Sequence, residues 1–76
     1  MTLEQLGFVE EKIDNRVLFS RKKLFANYRE YIEFHLIYKE IDLINIPSID
    51  MMLLEAINEK VKELFIWLKN IKKYWS

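Results

Sequence analysis

A regular apolar repeat over residues 50–75 constrains the fold of this chain more than any other feature of its sequence. Glycine and proline are absent from this segment, so intrinsic helix propensity agrees with the repeat. The sequence therefore predicts a helix from Met51 to Tyr74, with either Ser48 or Asp50 as its N-cap. The repeat alternates intervals of three and four positions, which places its members on one stripe of an α-helix: Leu54, Ile57, Val61, Leu64, Leu68, Ile71 and Trp75.

The composition limits how such a fold can be stabilised and what it can bind. The chain has 76 residues, no cysteine and one histidine, so neither disulfides nor a Cys/His metal cluster can support its small core. Lys and Arg number 12, as do Asp and Glu, and this zero net charge argues against a dedicated nucleic-acid binder. The sequence contains neither a signal-peptide pattern nor an apolar run of about 18 residues. We therefore expect a single cytoplasmic domain over residues 1–76.

Alternating polar and apolar residues before the helix predict an antiparallel meander. Asp14–Asn15 is expected to form a tight turn, and Pro47 ends the last strand because it cannot donate to the ladder. Whether the first strand pairs along its full length is left open. The predicted strands cover residues 8–13, 16–21, 28–36 and 40–46.

The two patterns together predict an α+β fold. We expect an antiparallel β-meander of three to four strands packed on one long C-terminal α-helix. A capping-box pair, Thr2 and Gln5, followed by Gly7 predicts a short helical turn before the sheet. The predicted core places the helix residues Leu54, Ile57, Val61 and Leu64 against the strand residues Val17, Phe19, Ile32, Phe34, Ile41 and Leu43.

Two segments of the chain resemble a known group of proteins. They are a Leu-Gly-Phe opening at residues 6–8 and the run Ala-Ile-Asn-Glu-Lys-Val-Lys-Glu-Leu at residues 56–64. With them the chain resembles, over residues 3–67, the small phage and prophage hypothetical proteins of low-GC Gram-positive bacteria, which combine such an opening with β-hairpins and a closing helix. In that group the helix tends to end in a Glu-Leu-Gly-Trp-like cap, whereas here Phe65 and Ile66 separate the Leu from the Trp. The resemblance implies the fold and a phage or prophage origin without an assigned activity, and the departure implies a helix that continues past the usual stop.

Few residues of the sequence suggest chemistry. His35 shares a strand face with Tyr31 and Glu33, and Asp42 on the next strand is expected across from it. This arrangement raises the hypothesis of a metal or acid–base site. We favour the alternative that His35 is an inert, solvent-facing residue, because a catalytic histidine needs an orienting partner and a nucleophile or metal in a pocket.

Other catalytic arrangements are excluded by spacing. Glu10 and Glu11 are adjacent on a strand and point to opposite faces, so they cannot act as a glycosidase-like pair. Gly7 is the only glycine, which excludes a glycine-rich phosphate loop. We therefore predict no catalytic, metal-binding or cofactor-binding residue, and a protein that is not an enzyme.

A basic and aromatic loop between the second and third strands is the best candidate for nucleic-acid contact. Cations for phosphates and rings for base stacking are what single-stranded nucleic acid requires. In the simpler alternative, Leu24 and Phe25 lie at the edge of the core and the charges keep a strand end soluble. The residues predicted for nucleic-acid contact are Arg21, Lys22, Lys23, Phe25, Tyr28 and Arg29.

The end of the predicted helix carries more apolar surface than the sheet can cover. Residues 65–68 lie about 100° apart around the helix axis and are all apolar, so they point in every direction. The helix spans ~36 Å whereas six-residue strands run ~20 Å, so about ten residues extend beyond the sheet. In the alternative, Leu64 and Leu68 face the sheet, Trp67 lies along it and only Ile66 is exposed. The predicted interface consists of Phe65, Ile66, Trp67, Leu68, Ile71, Tyr74 and Trp75.

We therefore expect a non-catalytic protein-interaction module that self-associates through its C-terminal helix, most simply as a homodimer. A host or phage protein is a further expected partner, and the sequence leaves a parallel or antiparallel dimer open. The alternative function is a nucleic-acid-binding accessory protein that uses loop 21–29. Neither a membrane partner nor a cofactor is expected.

Overall fold

The structure, a computed structural model, describes the backbone of residues 1–75 and the side chains of residues 1–65. The strands pair antiparallel with their sequence neighbours, so the sheet has the order β1-β2-β3-β4. The predicted α+β fold is confirmed, with all four strands of the predicted meander present. The elements are β1 (Val9–Ile13), β2 (Arg16–Lys22), β3 (Arg29–His35), β4 (Glu40–Ile44) and α1 (Met51–Trp75).

The strands end where the turn residues leave the β conformation. Asp14 in the β1–β2 turn and Lys39 in the β3–β4 turn have φ angles of 51° and 55°. Asn45 has a φ of 61°, which ends β4 at Ile44 rather than at the predicted Ile46. Every residue of β1 pairs with a residue of β2, whereas Phe8, the first residue of the predicted strand 8–13, precedes β1.

The sheet has two faces of different character. We call the face that packs against α1 the covered face, and the opposite one the open face. The covered face carries apolar side chains on β2, β3 and β4: Val17, Phe19, Ile32, Phe34 and Ile41. The open face carries mostly polar and charged side chains, among them Arg16, Ser20, Arg29, Tyr31, Glu33, His35 and Asp42.

The N-terminal half of α1 covers the sheet with a stripe that differs from the predicted one. Leu53 is 3 % exposed and belongs to the core, whereas Leu54 is 42 % exposed. The prediction that Leu54 is buried is therefore wrong, because Leu53 and Leu54 both fit a helical spacing with Ile57 and only packing decides between them. The core stripe of α1 consists of Leu53, Ala56 and Ile57, with Val61, Leu64 and Phe65 partly buried beside it.

The prediction that Leu43 is a core residue is also wrong. Leu43 lies on the covered face opposite Ile32, yet it belongs to the edge strand β4 and remains exposed. A helix is about 10 Å wide with its side chains, whereas four strands spaced ~4.8 Å apart are broader than that. One helix therefore leaves part of this edge uncovered.

The N-terminal turn also contributes side chains to the core. Thr2 and Gln5 form the predicted reciprocal capping box: the Thr2 backbone N–H donates to Gln5 Oε1 at 2.8 Å, and the Gln5 N–H donates to Thr2 Oγ1 at 3.1 Å. Gly7 follows with a φ of 96°, which favours glycine. Leu3, within this turn, and Phe8, just after it, are buried in the core.

Asp50 is the N-cap of α1. Its Oδ1 accepts a hydrogen bond from the Leu53 backbone N–H at 2.8 Å, and its carbonyl oxygen accepts one from the Leu54 N–H at 3.0 Å. These bonds satisfy N–H groups that have no partner within the helix. The choice between Ser48 and Asp50 is thereby decided for Asp50.

Candidate functional site

The predicted interface on α1 begins at the end of the sheet. Glu63 and Leu64 line a cleft together with the two turns at that end, residues 14–17 and 36–37. Phe65, the first residue of the predicted interface, is partly buried against the core. The side chains of the remaining interface residues lie outside the described residues: Ile66, Trp67, Leu68, Ile71, Tyr74 and Trp75.

Within the predicted nucleic-acid loop, Arg21 makes an internal ion pair. Arg21 and Glu30 are directly opposed on β2 and β3, and the Arg21 Nε donates to Glu30 Oε1 at 2.7 Å. Its Nη1 donates to the Leu6 carbonyl oxygen at 2.9 Å, and its guanidinium carbon lies 4.4 Å from the Phe8 ring centroid. Lys23 Nζ lies 3.8 Å from the other oxygen of Glu30. Two of the loop's cations are therefore held by a carboxylate that is itself only 2 % exposed.

The other residues of this loop point outward. Lys22 and Arg29 are exposed, and the Arg29 Nη2 donates to Ser20 Oγ at 3.1 Å. Tyr28, within the loop, is also exposed, and the Lys23 N–H donates a hydrogen bond to its carbonyl oxygen at 3.1 Å. Two cations and two rings of the loop are therefore exposed to a ligand: Lys22, Arg29, Phe25 and Tyr28.

The tip of the loop exposes apolar side chains. Phe25 is 98 % exposed and has a φ of 63°, a left-handed conformation that is unfavourable for a bulky residue. Leu24 beside it is also exposed. The expectation that Leu24 and Phe25 lie at the edge of the core is therefore wrong, since the hairpin closes at Lys23 and Tyr28 and carries the tip away from the sheet.

Three metal-ligating side chains converge on the open face. Glu33 and Asp42 are directly opposed on β3 and β4, and His35 lies two positions along β3 on the same face. The His35 Nε2 lies 2.8 Å from Asp42 Oδ2 and 3.5 Å from Glu33 Oε1. We call these three residues the open-face cluster. Glu40, rather than the predicted Asp42, lies directly across from His35, and Asp42 contacts the imidazole diagonally from its position opposite Glu33.

Arg16 on β2 borders the open-face cluster. Its Nη1 donates to Glu33 Oε1 at 2.9 Å, the same oxygen that faces the His35 imidazole. Arg16 and His35 are directly opposed in the sheet, so the four side chains form one continuous charged patch. Apart from the imidazole, this patch consists of two carboxylates and one guanidinium, so carboxylates outnumber cations in it.

A third charged group ties the N-terminal turn to the helix. Lys60 on α1 places its Nζ 3.5 Å from Glu4 Oε1, 3.2 Å from Glu63 Oε2 and 5.2 Å from the Phe19 ring centroid. A hydrogen bond from its own backbone, together with the Lys60 charge, lowers the pKa of Glu4. Partial burial opposes the charged form of Lys60, but hydrogen bonds and charge from Glu63 and Glu4 exceed that effect and raise its pKa.

The structural role of Glu30 was not predicted, although the sequence contained a signal for it. Glu30 occupies the same alternating positions of β3 as the buried Ile32 and Phe34, so a β-strand had to bury its carboxylate with them. A buried carboxylate needs a cation and hydrogen bonds. Arg21 was available at the opposed position of β2 once the register was known.

Ion pairs join several of the charged side chains among the described residues. Among their side chains, no buried nitrogen or oxygen atom lacks a hydrogen-bond partner. In the described part of the chain, no helix combines the length and the apolar character needed to cross a bilayer. Comparisons with protein-family models, curated proteins and solved structures found no match for this chain.

Proposed function

We propose that this chain is a non-catalytic protein-interaction module, of the small phage or prophage type that its sequence resembles, and that it self-associates as a homodimer. The contact is made by the C-terminal part of α1. The proposal rests on one observation: the sheet ends partway along α1. At Leu64 the helix already lies against the turns that close the strands.

Helix length supports this proposal. Residues 51–64 of α1 rise by ~20 Å, which matches the ~23 Å length of the seven-residue strands β2 and β3. Residues 65–75 add about 16 Å of helix. The molecule measures 49 by 24 by 18 Å, so its long dimension is about twice the next one. These dimensions leave the last turns of α1 without sheet beneath them.

The sequence of those turns supports an apolar contact. The spacing that places Ile57, Val61 and Leu64 on or beside the core continues with Leu68, Ile71 and Trp75. A stripe that continues beyond the sheet needs another surface, because each large apolar side chain left in water forgoes about 1.5–3 kcal/mol. A second copy presents the same stripe, and a spacing of three and four provides a coiled-coil-like seam.

Charge order supports self-association and favours one orientation. In residues 51–64 of α1 the glutamates at 55, 59 and 63 outnumber the lysines at 60 and 62, whereas the charged residues of 65–75 are all lysines, at 69, 72 and 73. In an antiparallel pair, the lysine end of each helix lies towards the acidic part of its partner. In a parallel pair, like charges lie at the same level. We therefore propose the antiparallel arrangement.

Light scattering coupled to size-exclusion chromatography tests the proposal. At tens of micromolar we expect twice the 9.4 kDa mass of the chain. The double variant Trp67→Glu/Ile71→Glu should return the mass to that of a monomer, while circular dichroism shows that the sheet remains folded. The matched control is Leu54→Glu/Asn58→Glu, which adds the same two charges one helical turn apart at exposed positions. This control should stay dimeric.

A monomeric parent chain would overturn the proposal. A dimer that dissociates in the control and persists in the Trp67/Ile71 variant would contradict the location of the interface. Cross-linking between position 63 of one copy and position 72 of the other would separate the antiparallel dimer from the parallel one.

We keep nucleic-acid binding as the alternative function because Phe25 and Tyr28 are exposed beside Lys22 and Arg29. With Arg21 and Lys23 held by Glu30, two phosphate contacts remain. A shift assay on single-stranded DNA should then give a weak complex whose logarithmic salt slope is about −1.4. A complex that stays sub-micromolar at physiological salt would favour the alternative over the interaction module.

A further inference from the structure

We propose that the open-face cluster is a binding site for one divalent transition-metal cation of the zinc type. The ligands are the His35 Nε2 and one carboxylate oxygen each from Glu33 and Asp42. The site is independent of the α1 interface, since its ligands all belong to β3 and β4.

The distances between the ligand atoms carry the proposal. The three atoms lie within 4.8 Å of one another, and the imidazole nitrogen is 2.8 Å from one carboxylate oxygen and 3.5 Å from the other. Tetrahedral zinc with bonds of about 2.0–2.2 Å holds its ligand atoms about 3.3–3.6 Å apart. Side-chain movements of about one ångström would therefore admit the ion, with the fourth position left to water.

The sheet holds these ligands in place. Glu33 and His35 belong to β3, which is paired on both sides, and both side chains are partly buried. Asp42 belongs to the edge strand and its side chain is 58 % exposed, which gives an ion access from solvent. Ligands on paired strands are more rigidly placed than ligands on loops.

The donor set selects the class of metal. One imidazole nitrogen with two carboxylate oxygens suits zinc, cobalt, nickel and copper, whereas magnesium and calcium prefer oxygen ligands alone. His35 is the only histidine of the chain and there is no cysteine. A transition metal bound through an imidazole nitrogen must therefore have His35 as a ligand.

Arg16 opposes the metal. Its guanidinium hydrogen-bonds the Glu33 oxygen that faces His35, at 2.9 Å, so a cation must share or displace that bond. The sharpest consequence is that removing Arg16 should strengthen metal binding. An ion-pair network without a metal function predicts no such gain.

Zinc titration of the untagged chain tests this proposal, with the single imidazole followed by ¹H–¹⁵N NMR and the affinity measured by competition with a chromophoric chelator. We expect one zinc per chain, a shift of the His35 Nε2 resonance and a rise in Tm. Cobalt(II) should give the same stoichiometry, and magnesium at equal concentration should leave the resonance in place.

Variants with a matched control decide the outcome. His35→Asn and Asp42→Asn should each weaken zinc binding at least tenfold, and Arg16→Gln should strengthen it about threefold. Glu11→Gln is the control, because it removes a carboxylate from the same cross-strand row on β1, next to Leu18, and it should change the affinity less than twofold.

Three results would overturn the proposal: an Nε2 resonance unmoved at millimolar zinc, a His35→Asn variant that binds as tightly as the parent, or half a zinc per chain. The first would leave an ion-pair network only, and the second would place the ion elsewhere. The third would mean that zinc bridges two copies rather than occupying a site completed by one chain.

Discussion

Strands β2 and β3 carry an arginine–carboxylate pair on each face of the sheet, and the two pairs differ mainly in their contact with water. On the covered face, Arg21 and Glu30 are 2.7 Å apart and Glu30 is almost fully buried. On the open face, Arg16 and Glu33 are 2.9 Å apart, and about half of the Arg16 side chain is exposed. Nearly equal distances thus belong to different roles. The buried pair is part of the core, whereas the open pair can exchange its partners with solvent or an ion.

The largest effect should come from breaking the covered pair. Arg21→Ala leaves Glu30 buried without its main cation, and we expect a loss of ~3–5 kcal/mol in unfolding free energy, measured by urea denaturation. Arg16→Ala is the matched control on the open face and should cost no more than about 1 kcal/mol. Equal losses of unfolding free energy in the two variants would mean that burial does not determine how much each pair contributes to stability.

A double substitution sharpens the same comparison. Arg21→Met/Glu30→Leu replaces the buried pair with apolar groups, and it should recover most of the stability lost in Arg21→Ala. The reason is that the desolvation cost of a buried pair offsets much of its attraction. A double variant as unstable as Arg21→Ala would point instead to the Arg21 contacts with Leu6 and Phe8 as the main contribution.

The next effect concerns the helix side that covers the sheet. Leu53→Ala should cost ~2–5 kcal/mol, because it removes buried surface and leaves a cavity. Leu54→Ala, one position along and exposed, should lie within about 0.5 kcal/mol of the parent. Thermal unfolding of the two variants would check this. A larger loss of stability in Leu54→Ala than in Leu53→Ala would mean that Leu54, as the sequence repeat predicts, faces the sheet.

The smallest effect should be a pH dependence at the contacts of Lys60 with Glu4 and Glu63, above the covered face. The lowered pKa of Glu4 means that its contribution to stability is present above its unfolded pKa of about 4.3 and is lost as pH falls through its folded pKa. The raised pKa of Lys60 means that its contribution is present below about 10.4 and is lost as pH rises through its folded value. Each loss should be at most about 1 kcal/mol, as for other partly exposed ion pairs.

Urea denaturation across pH, with Lys60→Met as the comparison, measures this dependence. The stability difference between the parent and Lys60→Met should shrink below pH 4 and again above the folded pKa of Lys60. A difference that stays constant with pH would assign the effect of Lys60 to its packing on Phe19 rather than to its charge.

The order of elements was predictable from the sequence because it depends on local patterns. Alternation in β3, the Asp14–Asn15 turn and the helical repeat each require only neighbouring residues, and all three are present in the structure. The Thr2–Gln5 capping box was predictable for the same reason, since its partners are three positions apart.

Properties that depend on contacts between elements were not predictable in the same way. The choice of Leu53 over Leu54 depends on the angle at which α1 crosses the sheet, and the burial of Leu3 depends on where the N-terminal turn folds back. The Arg21–Glu30 pair required the β2–β3 register. The exposure of Phe25 depends on how the hairpin closes. Sequence periodicity contains none of these geometries.

The candidate sites likewise combine features that follow from local sequence with features that depend on contacts between elements. The juxtaposition of His35 and Asp42 was predicted because both strands and the turn between them are local. The Arg16 contact, which makes the open-face cluster testable by a gain of affinity, needed the pairing of a third strand. The self-association surface remains a prediction, because most of its side chains lie outside the described residues.

The strand order β1-β2-β3-β4 also has a consequence for how the chain folds. Each strand pairs with the one synthesised just before it, so the sheet closes only short loops, and such local topologies fold fast. The helix comes after all the strands in the sequence. On the ribosome, all four strands are therefore synthesised before the segment that shields their covered face. During that interval Phe19, Ile32 and Phe34 face the solvent, and a chaperone or a second nascent chain has its best opportunity to bind them.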